Sequence, residues 1–349
     1  MSPAFWQNKD VLITGHTGFK GSWAALMLSG MGAKVHGFSL APPTEPSLFE
    51  VGDVQSRMTS STIADIRNHQ AIADTVLSIK PDVILHLAAQ SIVHASYEDP
   101  VGTYATNVMG LVNLLDAAKH LDSGCGIINV TSDKCYENRE WAWSYRENDP
   151  MGGHDPYSSS KGCAELVGAA YRNSFLAEKG IALASARAGN VIGGGDWADN
   201  RLVPDILSAH DRAEKLEIRN PTAIRPWQHV LEPVYGYLQL AHKLSEDQKK
   251  YEGAWNFGPG EIDIKDVKWI AERTLSHLNS GIGIKVHSHQ YHEANLLKLD
   301  SSKARMVLGW QPKWDVDMAL QKTTEWHLAY CEKSDMQQVC DRQIAEYFS

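Results

Sequence analysis

Short strand-like runs rich in apolar residues alternate with longer segments of helical spacing through the first half of the chain. The runs are Val11–Thr14, Lys34–Ser39, Val83–Leu87, Ile127–Thr131 and Ala182–Arg187. Strands with apolar residues on both faces belong to sheets covered on both sides, and their alternation with amphipathic segments predicts an α/β fold built on a doubly wound parallel sheet. Beyond Arg187 the texture changes to Gly193-Gly-Gly195, scattered Trp and Pro, and shorter helical stretches. The expected organisation is a sheet domain over 1–187, rejoined by a segment near 230–258, and a smaller mixed domain over 188–349. No internal repeat or low-complexity tract is visible.

The first strand runs into Gly15-His-Thr-Gly-Phe-Lys-Gly21, and the apolar helical run Ser22–Leu28 follows. Strand, glycine turn and helix in this order offer the unpaired N–H groups of a helix start to an anion, as in dinucleotide-binding turns. Glycine lets the backbone turn tightly, approach a pyrophosphate and pack helix on strand. The spacing is G-x-x-G-x-x-G, not the commoner G-x-G-x-x-G. Gly15, Thr17, Gly18, Phe19 and Gly21 are therefore candidate cofactor contacts. The run Lys80–Gln90 ends a second strand in the small residues Ala88 and Ala89 after Leu87, which leaves room for a ligand at the strand's C-terminal edge.

Composition narrows the partners. The 349 residues are 43% apolar and 21% charged, enough for a large core and about two domains. A formal charge of −9 without Lys/Arg runs argues against nucleic acid or a membrane surface as partner. No apolar stretch approaches the ~20 residues that span a bilayer, and Met1–Gln7 lacks the order of a signal peptide, so a cytoplasmic location is expected. Cys125, Cys135, Cys163, Cys331 and Cys340 contain no C-x-x-C pair and read as free thiols. Asn129-Val-Thr131 matches a glycosylation acceptor that such a location leaves unused. The eleven tryptophans are scattered, as core or pocket wall, and not interleaved with basic residues. His287 and His289 share one side of a possible strand, but no Cys or carboxylate cluster accompanies them and no metal is expected.

Tyr157-Ser-Ser-Ser-Lys161 sets a phenol and an ammonium four residues apart, on one face if the segment is helical. A phenol near pKa 10 is a poor base, but an adjacent Lys⁺ and a cationic nicotinamide both favour the phenolate, so the pair can deprotonate an alcohol. Thr131-Ser-Asp-Lys-Cys-Tyr136 ends a predicted strand upstream, and Asn107 lies further upstream in Asn-Val-Met-Gly-Leu-Val-Asn113. Arg187 follows a strand and precedes a glycine-rich loop, where it either binds phosphate or braces the sheet edge.

Taken together, these motifs resemble the extended short-chain dehydrogenase/reductase superfamily over nearly the whole chain, including Leu299–Pro312. The resemblance implies a Rossmann domain, a triad of Ser132, Tyr157 and Lys161, a helix Asn at Asn107, and NAD as cofactor, with Asp65 and Ile66 as its adenine-contacting pair. It implies a homodimer or homotetramer. Asp133 stands where nucleotide-sugar 4,6-dehydratases carry an acidic residue after the triad hydroxyl. Arg187–Trp197, Arg225–Val230 and Ser132–Glu137 resemble most the branch of these dehydratases that acts on CDP-glucose, in which Lys134 replaces a Glu. The implied reaction leaves NAD unchanged overall. Tyr157, assisted by Lys161 and Ser132, takes the C4 hydroxyl proton as C4 is oxidised; a base, with Lys134 as candidate, takes the C5 proton; Asp133 protonates the departing C6 hydroxyl; and C6 is then reduced. The implied substrate contacts are Gln90, Ser132, Asn190, Arg201 and Arg225, with Arg225 as the clamp on the diphosphate.

Cofactor identity rests on the resemblance alone, because Val35–Pro43 holds neither an acid for a ribose 2′-hydroxyl nor a cation for a 2′-phosphate. Two rivals remain: a nucleotide-sugar 4-epimerase, and a relative without catalysis that senses NAD(H).

Overall fold

The computed structural model describes residues 3–122, 124–286 and 296–349. Its centre is a seven-stranded, all-parallel sheet in the order β10-β6-β5-β4-β1-β2-β3. The strands are β1 (Asp10–Thr14), β2 (Lys34–Ser39), β3 (Ser60–Ile63), β4 (Val83–His86), β5 (Gly126–Val130), β6 (Ala182–Ala188) and β10 (Gly253–Phe257). Five follow the apolar runs of the sequence. β3 was not expected: Ser60-Ser-Thr-Ile63 is a largely exposed edge strand with no apolar run to announce it.

Alternate side chains of the central strands enter two separate cores. Val11, Ile13, Leu85, Ile128 and Val130 pack with Trp23, Leu26 and the helix Leu231–Glu246 on one face. Leu12, Ile84, Ile127 and Leu183 pack with Ile72, Leu111 and Leu114 on the other. Each such side chain contributes about 1.5–3 kcal/mol by leaving water, so both faces hold the register that aligns the strand ends.

A smaller unit stands at those C-terminal ends. It comprises the three-stranded sheet β11-β9-β7 and the pair β12-β8, with β7 (Asn190–Ile192), β8 (Leu216–Ile218), β9 (Ile224–His229), β11 (Ile264–Asp266) and β12 (Ile284–Val286). Helices Leu202–Asp211, Val267–His277 and Val316–Cys331 enclose its core of Ile192, Val203, Ile206, Ile270 and Leu320. The chain crosses between the units more than once after residue 187. The helix Leu231–Glu246 and β10 belong to the sheet layer, and Met336, Val339 and Tyr347 of the last helix, Met336–Phe348, lie in the same core as Trp23.

No helix among the described residues is long and apolar enough to cross a membrane. The five cysteines are unpaired. His287 and His289 lie outside the described residues.

Candidate active site

A cavity of about 700 Å³ opens between the strand ends and the smaller unit. Its floor is the glycine turn. Gly15 has φ +79°, and a Cβ there would stand 2.8 Å from Ala88 N, so this turn needs glycine for conformation and for space. A Cβ on Gly21 would lie 2.8 Å from Gly15 C and from His16 Cα, and closer still to the Gly15 carbonyl oxygen. Gly18 differs: its Cβ would meet nothing nearer than 3.5 Å, so its bareness faces the open cavity. It is the N-cap of the helix Phe19–Gly30, with no side chain capping that end. Bare backbone at an uncapped helix start fits a pyrophosphate. Thr17 Oγ1 bonds Ser39 Oγ at 2.8 Å and Leu40 O at 2.9 Å, tying the turn to the end of β2.

Phe19, Asp65, Ile66, Leu87, Ala88 and Ala89 also line the cavity. The Asp65 carboxylate is held by Arg67, whose hydrogen bonds lower its pKa below the usual carboxylate range, and Arg67 stays off the wall.

The helix Pro156–Tyr171 carries the acid–base pair. Asp155 caps it by accepting from Ser158 N at 2.9 Å, and Pro156 opens its first turn. Tyr157 and Lys161 thus stand one turn apart, both buried and both on the cavity wall. Lys161 Nζ donates to Val130 O at 3.3 Å, at the end of β5. Burial lowers the Lys161 amine to about 8, against the pull of Glu165. Burial also pushes the Tyr157 phenol up to about 12, although the Ser132 hydroxyl and Arg201 draw it down. The expectation that neighbouring cations favour the phenolate is therefore outweighed in the ligand-free protein by loss of water around the ring.

Directly after β5, Ser132 caps the turn Asp133–Cys135 and donates from Oγ to Asp133 Oδ1 at 2.9 Å. Asp133 is only 3% exposed, and its Oδ2 has no partner. Burial raises its pKa, opposed by Lys134, Ser132 and Arg225. This is no surface ion pair: burial shifts the carboxyl toward its protonated form, and the residue lines the cavity with one oxygen buried and unpartnered. Lys134 is half-buried on the same wall.

Three polar residues approach from the smaller unit. The β7–β9 register sets Asn190 beside Trp227, two residues from Arg225, so Asn190 and Arg225 line one wall. Arg201 bonds Asp196 Oδ2 at 2.9 Å and Ser91 Oγ at 3.2 Å, bridging the units across the cavity mouth.

Gln90 and Asn107 do not line the cavity. Asn107 lies in a π-helical turn, Ala105–Met109; it accepts from Gln90 N at 2.8 Å and donates to Gln90 O and Ser160 Oγ at 2.9 and 2.8 Å. The Asn107 amide is spent on joining the end of β4 to the Tyr157 helix, the kind of place where π turns recur, and the Gln90 amide is spent on Thr103 Oγ1 and Ile92 N. Arg187 lies off the cavity wall and braces the sheet: it grips Glu165 with two bonds of 2.9 and 3.0 Å, and Nη1 donates to Tyr136 Oη at 2.7 Å.

Sequence reasoning passed over Lys20, which lines the cavity from within the glycine turn. A charged residue inside such a turn was the available signal. Away from the cavity, His327 Nε2 lies 2.9 Å from Asp211 Oδ1 and 3.6 Å from Cys331 Sγ, the one cluster of possible metal-ligand types among the described residues. Its His–Asp hydrogen bond is complete without an ion.

The model of the family described as GDP-mannose 4,6 dehydratase matches residues 12–323. The chain belongs to that family. A CDP-glucose 4,6-dehydratase of Salmonella typhimurium is 49% identical over 351 residues, covering 99% of this chain and 98% of the relative. Two solved structures show the same fold as this GDP-mannose 4,6 dehydratase family member. A dTDP-glucose 4,6-dehydratase of Bacillus anthracis in complex with NAD has a TM-score of 0.78 at 21% identity, covering 93% of this chain and 98% of its own. A UDP-glucose 4-epimerase of Thermotoga maritima with UDP-glucose has a TM-score of 0.81 at 19% identity, covering 92% and 99%.

Proposed function

We propose that this protein is an NAD-dependent nucleotide-sugar 4,6-dehydratase that converts CDP-glucose to CDP-4-keto-6-deoxyglucose and water. Asp133 carries the reading. A buried carboxyl shifted by burial toward its acid form, with Oδ2 unpartnered and the residue in one cavity with Tyr157, is equipped to protonate a leaving hydroxyl. A 4-epimerase expels no hydroxyl. The choice of CDP-glucose is supported by the 49% identical relative.

NAD along Gly15–Gly21, Asp65–Ile66 and Leu87–Ala89 would supply the oxidant for C4 and, within the same turnover, the reductant for C6. The wall at Ser39, Leu40, Asp65 and Ile66 offers no cation for a 2′-phosphate, which favours NAD over NADP. Arg225, Arg201 and Asn190 hold the substrate diphosphate; the guanidinium fork matches its oxygens. Tyr157 Oη, as the phenolate that a bound nicotinamide cation would favour, takes the C4 hydroxyl proton, held toward Ser132 and facing the charge of Arg201. Once C4 is a ketone the C5 proton is acidic, and Lys134 is placed to take it. Asp133 delivers its proton to the C6 oxygen, which leaves as water, and as C6 is reduced the proton held on Lys134 returns to C5.

Five free thiols support a cytoplasmic location. Val101, Met109, Leu166 and Phe175, exposed along neighbouring helices, support self-association into a dimer or tetramer.

The test is incubation of the purified protein with CDP-, dTDP- and UDP-glucose and GDP-mannose, with and without NAD, and identification of products by mass and proton NMR. A product lighter by one water, from CDP-glucose alone, is expected. An isomer of unchanged mass would mean an epimerase, and dehydration of another donor would reassign the substrate.

A further inference from the structure

Lys20 is the second residue of the helix Phe19–Gly30 and lies inside the glycine turn. It lines the cavity, yet among the described residues it makes no hydrogen bond and no ion pair; its contact is with the ring of Tyr237, 5.8 Å from the centroid. A half-buried amine on the cavity wall without a paired counter-ion needs an explanation. Two carboxylates face it through their charge and neither pairs with it. Asp196 is paired to Arg201 at 2.9 Å. Asp133 accepts from Ser132 and makes no bond to Lys20, and burial raises its pKa.

We propose that Lys20 is a proton-linked ligand for a diphosphate: its amine takes one proton from solvent as the anion enters the cavity and then holds that anion as an ammonium. The inference rests on the reading of this cavity as a diphosphate site. The groups that face Lys20 come from four elements: Lys161 on the helix Pro156–Tyr171, Asp133 on its turn, Asp196 and Arg201 in the loop before the helix Leu202–Asp211, and Tyr237 on the helix Leu231–Glu246. Burial, then the charges of Arg201 and Lys161, lower the amine to about 7, with Asp133 and Asp196 opposing. Near neutral pH Lys20 is thus balanced between its two states. An entering diphosphate tips it, because the anion supplies the missing counter-charge and offsets the two cations that held the proton off. Its place in the turn assigns the dinucleotide pyrophosphate as that anion; the other diphosphate the cavity would receive is the substrate's.

The experiment is isothermal titration of the purified wild-type, Lys20→Met and Lys20→Arg proteins with NAD and, separately, with CDP, at pH 6–9 in buffers of different ionisation enthalpy. For wild type, NAD binding at pH 8 should take up close to one proton, and the Kd should weaken toward about tenfold per pH unit above 7. Lys20→Met should lose the uptake and bind roughly ten- to a hundredfold more weakly at pH 7. Lys20→Arg, always charged, should keep the affinity and lose the pH dependence. Uptake with CDP but not NAD would assign the anion to the substrate's diphosphate. Uptake unchanged in Lys20→Met would place the proton on Lys161 or Tyr157 and overturn the proposal, as would wild-type binding without uptake. Failure of wild type to bind either ligand would instead overturn the reading of the cavity, and the inference with it.

Discussion

Removing one half of the Arg187–Glu165 pair should cost far more than removing both. The two side chains are 3% and 7% exposed, and the guanidinium reaches both carboxylate oxygens. In Arg187→Met the Glu165 carboxylate stays buried with Thr131 Oγ1 donating to it at 2.5 Å. That hydrogen bond does not replace a full positive charge. A buried charge stripped of its partner costs about 3–5 kcal/mol. For a chain of 349 residues, an unfolding entropy of about 0.7 kcal/mol/K turns this into a fall in Tm of roughly 4–7 °C. The double variant Arg187→Met/Glu165→Met removes both charges and fills the space with apolar atoms of similar length, so it should recover most of the loss. Urea or thermal unfolding of the four proteins, followed by circular dichroism, closes the double-mutant cycle, with a coupling of at least ~2 kcal/mol expected. A single variant within ~0.5 kcal/mol of wild type, or a double variant no better than the worse single, would refute the reasoning: the pair would then be hydrated or open in solution.

The remaining predictions concern the site. Tyr157→Phe should lower turnover by about 10²–10⁴ while NAD binding persists; unchanged turnover would remove the phenol from the reaction. Asp133→Asn should leave loss of the C4 hydrogen measurable and slow release of water, read by separate isotope labels at C4 and C6; equal slowing of both steps would make Asp133 a positioning residue. For Lys134→Met, exchange of the C5 hydrogen with solvent should stop, and continued exchange would point to another base. Gly21→Ala should destabilise the fold, at about 1–3 kcal/mol for overpacking against backbone, whereas Gly18→Ala should unfold as wild type does and lose dinucleotide affinity. The reverse pattern would mean that the turn is not seated as described.

The parallel sheet was legible because burial on both faces demands contiguous apolar strands, and β1, β2, β4, β5 and β6 all carry them. The edge strand β3 was not, since an exposed edge needs no such run. The three-residue strands β7, β8 and β11 were equally silent, being too short for a period to register. At the site, chemistry tied to local spacing was readable: the glycine turn, the Tyr157–Lys161 pair one helical turn apart, and Asp133 beside Ser132. Residue types and short-range spacing belong to the chain itself, so the sequence determined the fold class, the floor of the cavity and the acid–base groups. Only the tertiary structure decided what each group faces. It turned Arg187 inward onto Glu165, spent Asn107 on Gln90 and Ser160, raised Tyr157 and Asp133 by burial, and left Lys20 without a counter-ion. Partners distant in sequence and exclusion of water set a charge's state, and neither exists until the chain has folded.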